Sequence, residues 1–361
     1  MAMTTEPFLE TDLLGEPWVA RRLPVTVSED APGADHAVLV HQRQAMPAPG
    51  QGPRHTRAVL YLHGRNDYFF QTWLADALAG AGYEFYALDL RACGRSGVGY
   101  RSPHDVRDLR VYDEEITEAA RIIREEHGHT VLVLNGHSTG GLQAALWAGD
   151  HPGAVEAVTL NSPWLDLQAG GLMRSYGSAF VDLLSRRDPD RIVVSDPLAQ
   201  GVPGWAGDGD EPADWAFGAT LGDVSDDLYG RTLHRRWGGE WDWDLSLKPT
   251  PSFPVRAGFM AAVRRAHRDV HHGLGIEVPV LLCCSTASAT GAAGEGLTPQ
   301  EALRQDLVLD VSQMVARAPF LGSDVTVRQI PGGVHDLVLS PEPARSDYLS
   351  ALTGWLATRV G

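Results

Sequence analysis

Lysine is almost missing from this 361-residue chain: Lys248 is the only one, and the other 29 basic residues are arginine. Walker-type phosphate loops place a lysine on the phosphates, and Schiff-base or Ser–Lys catalysis needs one beside the reacting atom. Only Lys248, in the Pro-rich run Leu247-Lys248-Pro249-Thr250-Pro251, could serve them, and no GxxxxGK precedes it. Cysteine is scarce too. Cys93, Cys283 and Cys284 are odd in number and two of them are adjacent, which excludes a disulfide framework and a spaced zinc site and leaves plain reduced thiols.

Positive charge is in deficit, with 30 Lys+Arg against 46 Asp+Glu and a net charge of −16. Nucleic acid and anionic lipid are polyanions gathered by basic patches, so neither a nucleic-acid partner nor stable membrane association is expected. No run of about 18 apolar residues occurs. The start, Met1-Ala2-Met3-Thr4-Thr5-Glu6-Pro7, lacks the basic and apolar regions of a signal peptide. The expected location is the cytoplasm; oligomeric state leaves no signature in the sequence.

What is present is an alternation of strands and helices. Val25–Val27 and Ala37–Val40 read as short strands, after a start without clear period. Ala58–Leu62 is a continuous apolar run, as expected for a strand covered on both faces, followed by a helix over 72–81 and a strand over 84–90. Tyr112 to Glu126 predicts an amphipathic helix whose opening acids, Asp113, Glu114 and Glu115, complement the helix dipole rather than hold a metal. A strand over 130–134, a helix over 140–149 and a strand over 155–160 follow, and the pattern resumes with strands over 278–282 and 325–330 and a helix over 343–357. The class is α/β with a mostly parallel sheet. Between 162 and 255 the pattern breaks into Gly, Pro and Asp with six of the ten tryptophans, which reads as a cap inserted into a core of 1–161 and 256–361.

Gly136-His137-Ser138-Thr139-Gly140 lies between a predicted strand and a predicted helix, the context of a nucleophile elbow. Small residues two before and two after the serine are needed because the turn leaves no room for a Cβ. His63-Gly64-Arg65-Asn66-Asp67 closes an earlier strand, where a backbone N–H can reach an oxyanion. The expected donors are the N–H groups of Arg65 and Thr139. His63 is expected to support its loop, with substrate contact as a further reading.

His63-Gly64, Asp89-Leu90-Arg91-Ala92-Cys93-Gly94-Arg95-Ser96, Gly136-His137-Ser138-Thr139-Gly140-Gly141 and Gly332-Gly333-Val334-His335-Asp336 together resemble the α/β-hydrolase fold family. The resemblance is strongest to its monoacylglycerol lipase, lysophospholipase and serine aminopeptidase-like branch. It covers about 57–161 and 278–357 and implies a catalytic triad in the order Ser, acid, His, with no cofactor and no metal. Ser138 would be the nucleophile and His335 the base. The acid falls in a region that departs from the family pattern, because Ser285–Pro299 looks inserted. Asp306 aligns best, Asp310 is the alternative and Glu295 a third; Asp336 is excluded by its adjacency to the base.

Asp89 and Arg95 match loop-bracing residues of the family. His267 and His271, four apart on a predicted helix, read as a solvent face. Trp164, Trp237 and Trp241 are candidate substrate-pocket residues, although the aromatic and acidic alternation over 237–244 fits cap packing first. The expected activity is serine esterase or lipase-like hydrolysis of a small-molecule ester, with a small neutral, medium-chain or aromatic acyl group. The alternatives are an aminopeptidase or amidase, a thioesterase or acyltransferase, and a non-catalytic binding protein.

Overall fold

The computed structural model describes residues 9–48, 50–100, 102–167, 183–194, 224–290 and 296–360. Glu295, Trp205 and Trp215 lie outside them. Nine strands form one sheet: β1 (Leu9–Thr11), β2 (Trp18–Pro24), β3 (His36–Gln42), β4 (Arg57–Leu62), β5 (Tyr83–Asp89), β6 (Val131–His137), β7 (Ala157–Asn161), β10 (Val280–Ser285) and β11 (Val325–Ile330). The pair β8 (Ile192–Val194) and β9 (Val255–Arg256) makes a separate two-stranded sheet. In the large sheet the order is β1-β2-β3-β5-β4-β6-β7-β10-β11. From β5 to β11 every pairing is parallel, and the antiparallel pairings are confined to the N-terminal edge.

The helices are α1 (Thr72–Gly80), α2 (Asp113–Arg121), α3 (Thr139–Asp150), α4 (Val224–Leu233), α5 (Ala257–His272), α6 (Pro299–Ala302), α7 (Val311–Arg317) and α8 (Ala344–Arg359). Alternation along each strand feeds two apolar layers, one on each face of the sheet. Ala58, Leu60 and Leu62 of β4 join Leu132, Leu134, Val158 and Val280 on one face. Val59 and Tyr61 join Val133, Ala157 and Leu281 on the other, beneath Tyr348, Leu352 and Leu356 of α8. This burial on both sides explains why the central strands read as unbroken apolar runs.

One expectation is corrected at the N-terminus and one in the segment 112–126. The first long strand is Trp18–Pro24 rather than 25–27, and a short strand precedes it. Arg21 and Arg22 interrupt the apolar pattern because this strand lies near the sheet edge, where Arg21 pairs with Glu126 and Arg22 with Asp35. Thr26 is instead held by the Glu114 carboxylate, which accepts from its N–H and hydroxyl. Asp113–Arg121 is α-helical, and a wider π-helical turn, Ile122–Glu126, completes the segment expected as one helix.

Among the described residues between Asn161 and Val280, none adds a strand to the large sheet. No helix there or elsewhere among the described residues is long and apolar enough to cross a membrane. The loops after β4, β6, β10 and β11 all leave the carboxyl edge of the sheet, the place where open parallel sheets gather functional groups.

Candidate active site

The turn between β6 and α3 is as tight as its sequence requires. Ser138 sits at φ 54° and ψ −117°, a backbone state that L residues with side chains seldom adopt, and it is held there by its neighbours. Its N–H donates to Asn161 O at 3.0 Å, and its carbonyl accepts from Trp164 N, also at 3.0 Å. A Cβ on Gly140 would collide with the carbonyl oxygens of His63 and Leu62, so the start of α3 presses directly on the end of β4.

Three side chains from three loops meet at this turn. Ser138 Oγ lies 3.0 Å from His335 Nε2, and His335 Nδ1 lies 2.9 Å from Asp306 Oδ2. The other oxygen, Asp306 Oδ1, accepts from the N–H groups of Val308 and Leu309, both at 2.8 Å, which fixes the carboxylate's rotation. Ser138, His335 and Asp306 are 8, 3 and 0% exposed, so the chain of hydrogen bonds is shielded from competing water. Such a chain can accept a proton from the serine hydroxyl at Nε2 while the carboxylate holds the imidazole in one tautomer.

Asp310 plays another part: as N-cap of α7 its carboxylate accepts from Ser312 N at 2.9 Å. Asp336 also faces away from the imidazole nitrogens, accepting from Asn161 Nδ2, Gln71 Nε2 and Val338 N.

The loop after β4 packs against the serine. A Cβ on Gly64 would lie 3.1 Å from Ser138 Cβ, so the backbone of Gly64 runs beside the nucleophile position. Thr139 opens α3, where the first N–H groups lack intrahelical acceptors and the helix dipole favours an anion.

The expected pocket residues are placed less simply. His63 is occupied by the backbone on both sides of its ring, with Nδ1 2.7 Å from Gly64 O and Nε2 accepting from Leu90 N; it braces the loop and has no nitrogen left for a substrate. Trp164 reaches Ser138 through its backbone, while its ring packs edge-on to His267. Trp237 is 39% exposed, with Arg231 and Arg236 over its ring, and belongs to the outer surface. Trp241 stacks on Trp73 at 4.2 Å and donates from Nε1 to Leu339 O, so it fastens the segment onto the core. Trp237 is therefore a surface residue and Trp241 a packing residue.

His267, expected on a solvent face, is buried: its Nε2 lies 2.9 Å from Trp164 O, and burial holds its pKa down to about 4. Asp89 and Arg95 do brace the loop after β5, with Nη1 2.8 Å from Oδ2, and Arg95 also grips Asp12. Two of the acids at the start of α2 are committed to arginine, since Glu114 and Glu115 both pair with Arg91.

A second buried polar group, with no local pattern in the sequence to announce it, lies behind the triad. Lys248 Nζ lies 2.7 Å from Asp67 Oδ1, and His137 Nδ1 lies 3.4 Å from Asp67 Oδ2. Burial opposes charge on Asp67, but the Lys248 ammonium and His137 hold its carboxyl below the usual range. Burial likewise opposes a charged His137, and the Asp336 and Asp67 carboxylates outweigh it and raise the ring's pKa. Asp67, His137 and Asp336 bring ligand-type atoms within 4.8 Å of one another, but the ammonium already supplies the cation at Asp67. The available signal was the lone lysine itself, and the acid standing four residues beyond His63.

Residues 53–206 match the family described as Serine aminopeptidase, S33. No curated protein matches the chain in sequence. Among solved structures it is similar to the monoacylglycerol lipase of Paleococcus ferrophilus, with 20% identity, TM-score 0.56, and coverage of 87% of this chain and 96% of that one. It is also similar to a carboxyl esterase from Bacillus coagulans solved with glycerol, with 14% identity, TM-score 0.59, and coverage of 95% and 99%. A soluble variant of monoglyceride lipase from Saccharomyces cerevisiae, solved with a substrate analog, aligns at 15% identity and TM-score 0.53, covering 99% of this chain and 97% of that one. By its sheet order, its elbow and these likenesses the chain has the α/β-hydrolase fold, and its segment 53–206 carries the match to the serine aminopeptidase family.

Proposed function

We propose that the protein is a serine hydrolase that cleaves carboxylic esters through an acyl-enzyme, with Ser138 as nucleophile, His335 as general base and acid, and Asp306 as the orienting carboxylate. The observation that carries this reading is the unbroken contact Ser138 Oγ to His335 Nε2 and His335 Nδ1 to Asp306 Oδ2 in a buried setting. Ser138 Oγ attacks the ester carbonyl as its proton passes to Nε2. The tetrahedral oxyanion is received by the N–H groups of Thr139 and Arg65, the first backed by the dipole of α3. His335 then gives the proton to the departing alkoxide, and a water activated by the same nitrogen releases the acid.

In this reading residues 162–255 form a cap, and the substrate is a small neutral ester with a medium-chain or aromatic acyl group. The net charge of −16 disfavours carboxylate-bearing substrates. Three buried free thiols suit a reducing, cytoplasmic setting.

A series of nitrophenyl esters of increasing acyl length tests the reading. A maximum at medium length or with an aromatic acyl group is expected, and absent turnover across the series overturns it. The family match over 53–206 favours one second reading, an aminopeptidase acting on the same triad. Aminoacyl anilides in the same panel separate the two, since only an amidase turns them over at rates comparable to the esters.

A further inference from the structure

The only lysine of the chain is buried against the loop that carries one proposed oxyanion donor. The segment Lys248–Pro254 lies along that loop and grips three consecutive residues. Lys248 Nζ pairs with Asp67 Oδ1 at 2.7 Å. Asn66 Nδ2 donates to Pro249 O at 2.9 Å and to Ser252 Oγ at 3.3 Å, while its Oδ1 accepts from Phe253 N at 3.2 Å. Arg65 Nη2 donates to Phe253 O at 2.8 Å and to Pro254 O at 2.6 Å. The segment is itself anchored, with Trp243 Nε1 donating to Lys248 O and the ammonium lying 5.4 Å from the Trp243 ring and 5.6 Å from that of Phe70.

Asn66 holds a left-handed φ of 54°, a conformation that costs free energy unless its surroundings impose it. Its side chain is pinned on both ends by the 248–254 segment, and its N–H donates to His104 Nδ1 at 3.2 Å. The loop Arg65–Asp67, which follows the Gly64 backbone packed against Ser138, is therefore held from a distant part of the chain. A buried ion pair is a poor source of stability, because apolar residues of equal volume often do as well. What it offers is a fixed direction, and here the direction is that of the loop after β4.

We propose that Lys248 is a positioning residue: together with Pro249–Pro254 it holds Arg65–Asp67 so that the Arg65 N–H faces the oxyanion, coupling the segment 248–254 to the chemistry of Ser138. This rests on the ester-hydrolase reading given above. It extends that reading by assigning the oxyanion geometry to residues nearly two hundred positions away. Misplacing a donor by an ångström slows both formation and breakdown of the acyl-enzyme, while ground-state binding of the ester changes little.

The test compares wild type with Lys248→Met, Lys248→Gln and Arg65→Met. Each is assayed by steady-state ester kinetics and by the rate at which a fluorophosphonate labels Ser138, well below its own unfolding temperature. Lys248→Met is expected to lower kcat and the labelling rate by about tenfold to a hundredfold, with KM changed less than about threefold. Lys248→Gln, whose amide can still donate to Asp67, is expected to recover part of both. Arg65→Met keeps the backbone N–H and removes only the grip on Phe253 and Pro254; its kcat is expected to fall in the same direction while the fold survives if Lys248→Met does not. The proposal is overturned if a folded Lys248→Met or Arg65→Met keeps wild-type kcat and labelling, or if the loss appears in KM alone. It is also overturned if wild type is not labelled at Ser138, an outcome that removes the ester-hydrolase reading with it; normal labelling of both wild type and variants removes the positioning role alone.

Discussion

Asp306 and His335 meet at 2.9 Å although they stand 29 positions apart in the sequence, with the helix α7 and the strand β11 between them. Asp310, four residues from Asp306, caps a helix instead. The two carboxylates therefore differ in what their removal does. Asp306→Asn, which can present the wrong group to Nδ1, is expected to lower kcat by about ten thousandfold with an intact fold. Asp310→Ala is expected to leave kcat unchanged and cost about 1 kcal/mol of stability. Ester kinetics and urea unfolding on the two variants check both, and equal activity loss in the two would contradict the assignment.

The elbow allows no side chain at Gly140. A Cβ there meets the carbonyl oxygens of His63 and Leu62, which belong to the central strand β4 and the loop that follows it and cannot move independently. Gly140→Ala is expected to cost about 1 to 3 kcal/mol and to displace Ser138 enough to abolish most activity. Thermal unfolding together with Ser138 labelling checks it; a stable, fully active variant would contradict the packing described.

Much of this site was legible in the sequence, for reasons that differ by residue. Ser138 and His335 stand in short segments whose glycines and flanking strand and helix patterns carry local information. Asp306 was preferred by its position in a family pattern, and Asp310 remained open because nothing local distinguishes a carboxylate that meets an imidazole from a helix cap. The roles of Trp237 and Trp241 were not legible, since aromatic alternation does not say which face a segment turns to the core. Lys248 and Asp67 are 181 residues apart, and no local pattern links them. On the fold, the apolar central strands were read correctly. β2 was missed because Arg21 and Arg22 break its apolar pattern, their charges being taken up by Glu126 and Asp35.

A buried ion pair fixes the loop after β5. Arg91 is 1% exposed and its Nη2 lies 2.6 Å from Glu115 Oε2, itself fully buried. Arg91→Met strands the carboxylate without a partner and is expected to destabilise the protein by about 3 to 5 kcal/mol. Chemical denaturation measures this, and a loss below about 1 kcal/mol would contradict it.

On the N-terminal side of the sheet the Tyr86 hydroxyl lies 2.8 Å from both His127 Nδ1 and His129 Nε2, with the His41 ring 5.2 Å from that of His127. Burial first of all holds the pKa of His41 and His129 down to about 4 and that of His127 to about 3. An unfolded histidine takes up its proton near pH 6.5, so between there and pH 4 the unfolded chain binds more protons and stability falls with falling pH. Asp105 and Asp113, raised by burial to about 7 and 6, act with the opposite sign over part of that window. The histidine contribution is therefore read as a difference: His41→Leu is expected to remove up to about 1.4 kcal/mol per pH unit from the slope between pH 6.5 and 4. Unchanged slopes in wild type and variant would contradict it.

The most direct test of the central claim is pre-steady-state hydrolysis of a medium-chain nitrophenyl ester followed by mass analysis of the trapped enzyme. The account predicts a burst of nitrophenol and an acyl group on the peptide containing Ser138, both lost in Ser138→Ala. Turnover that persists in Ser138→Ala, or an acyl group found on another residue, would contradict it.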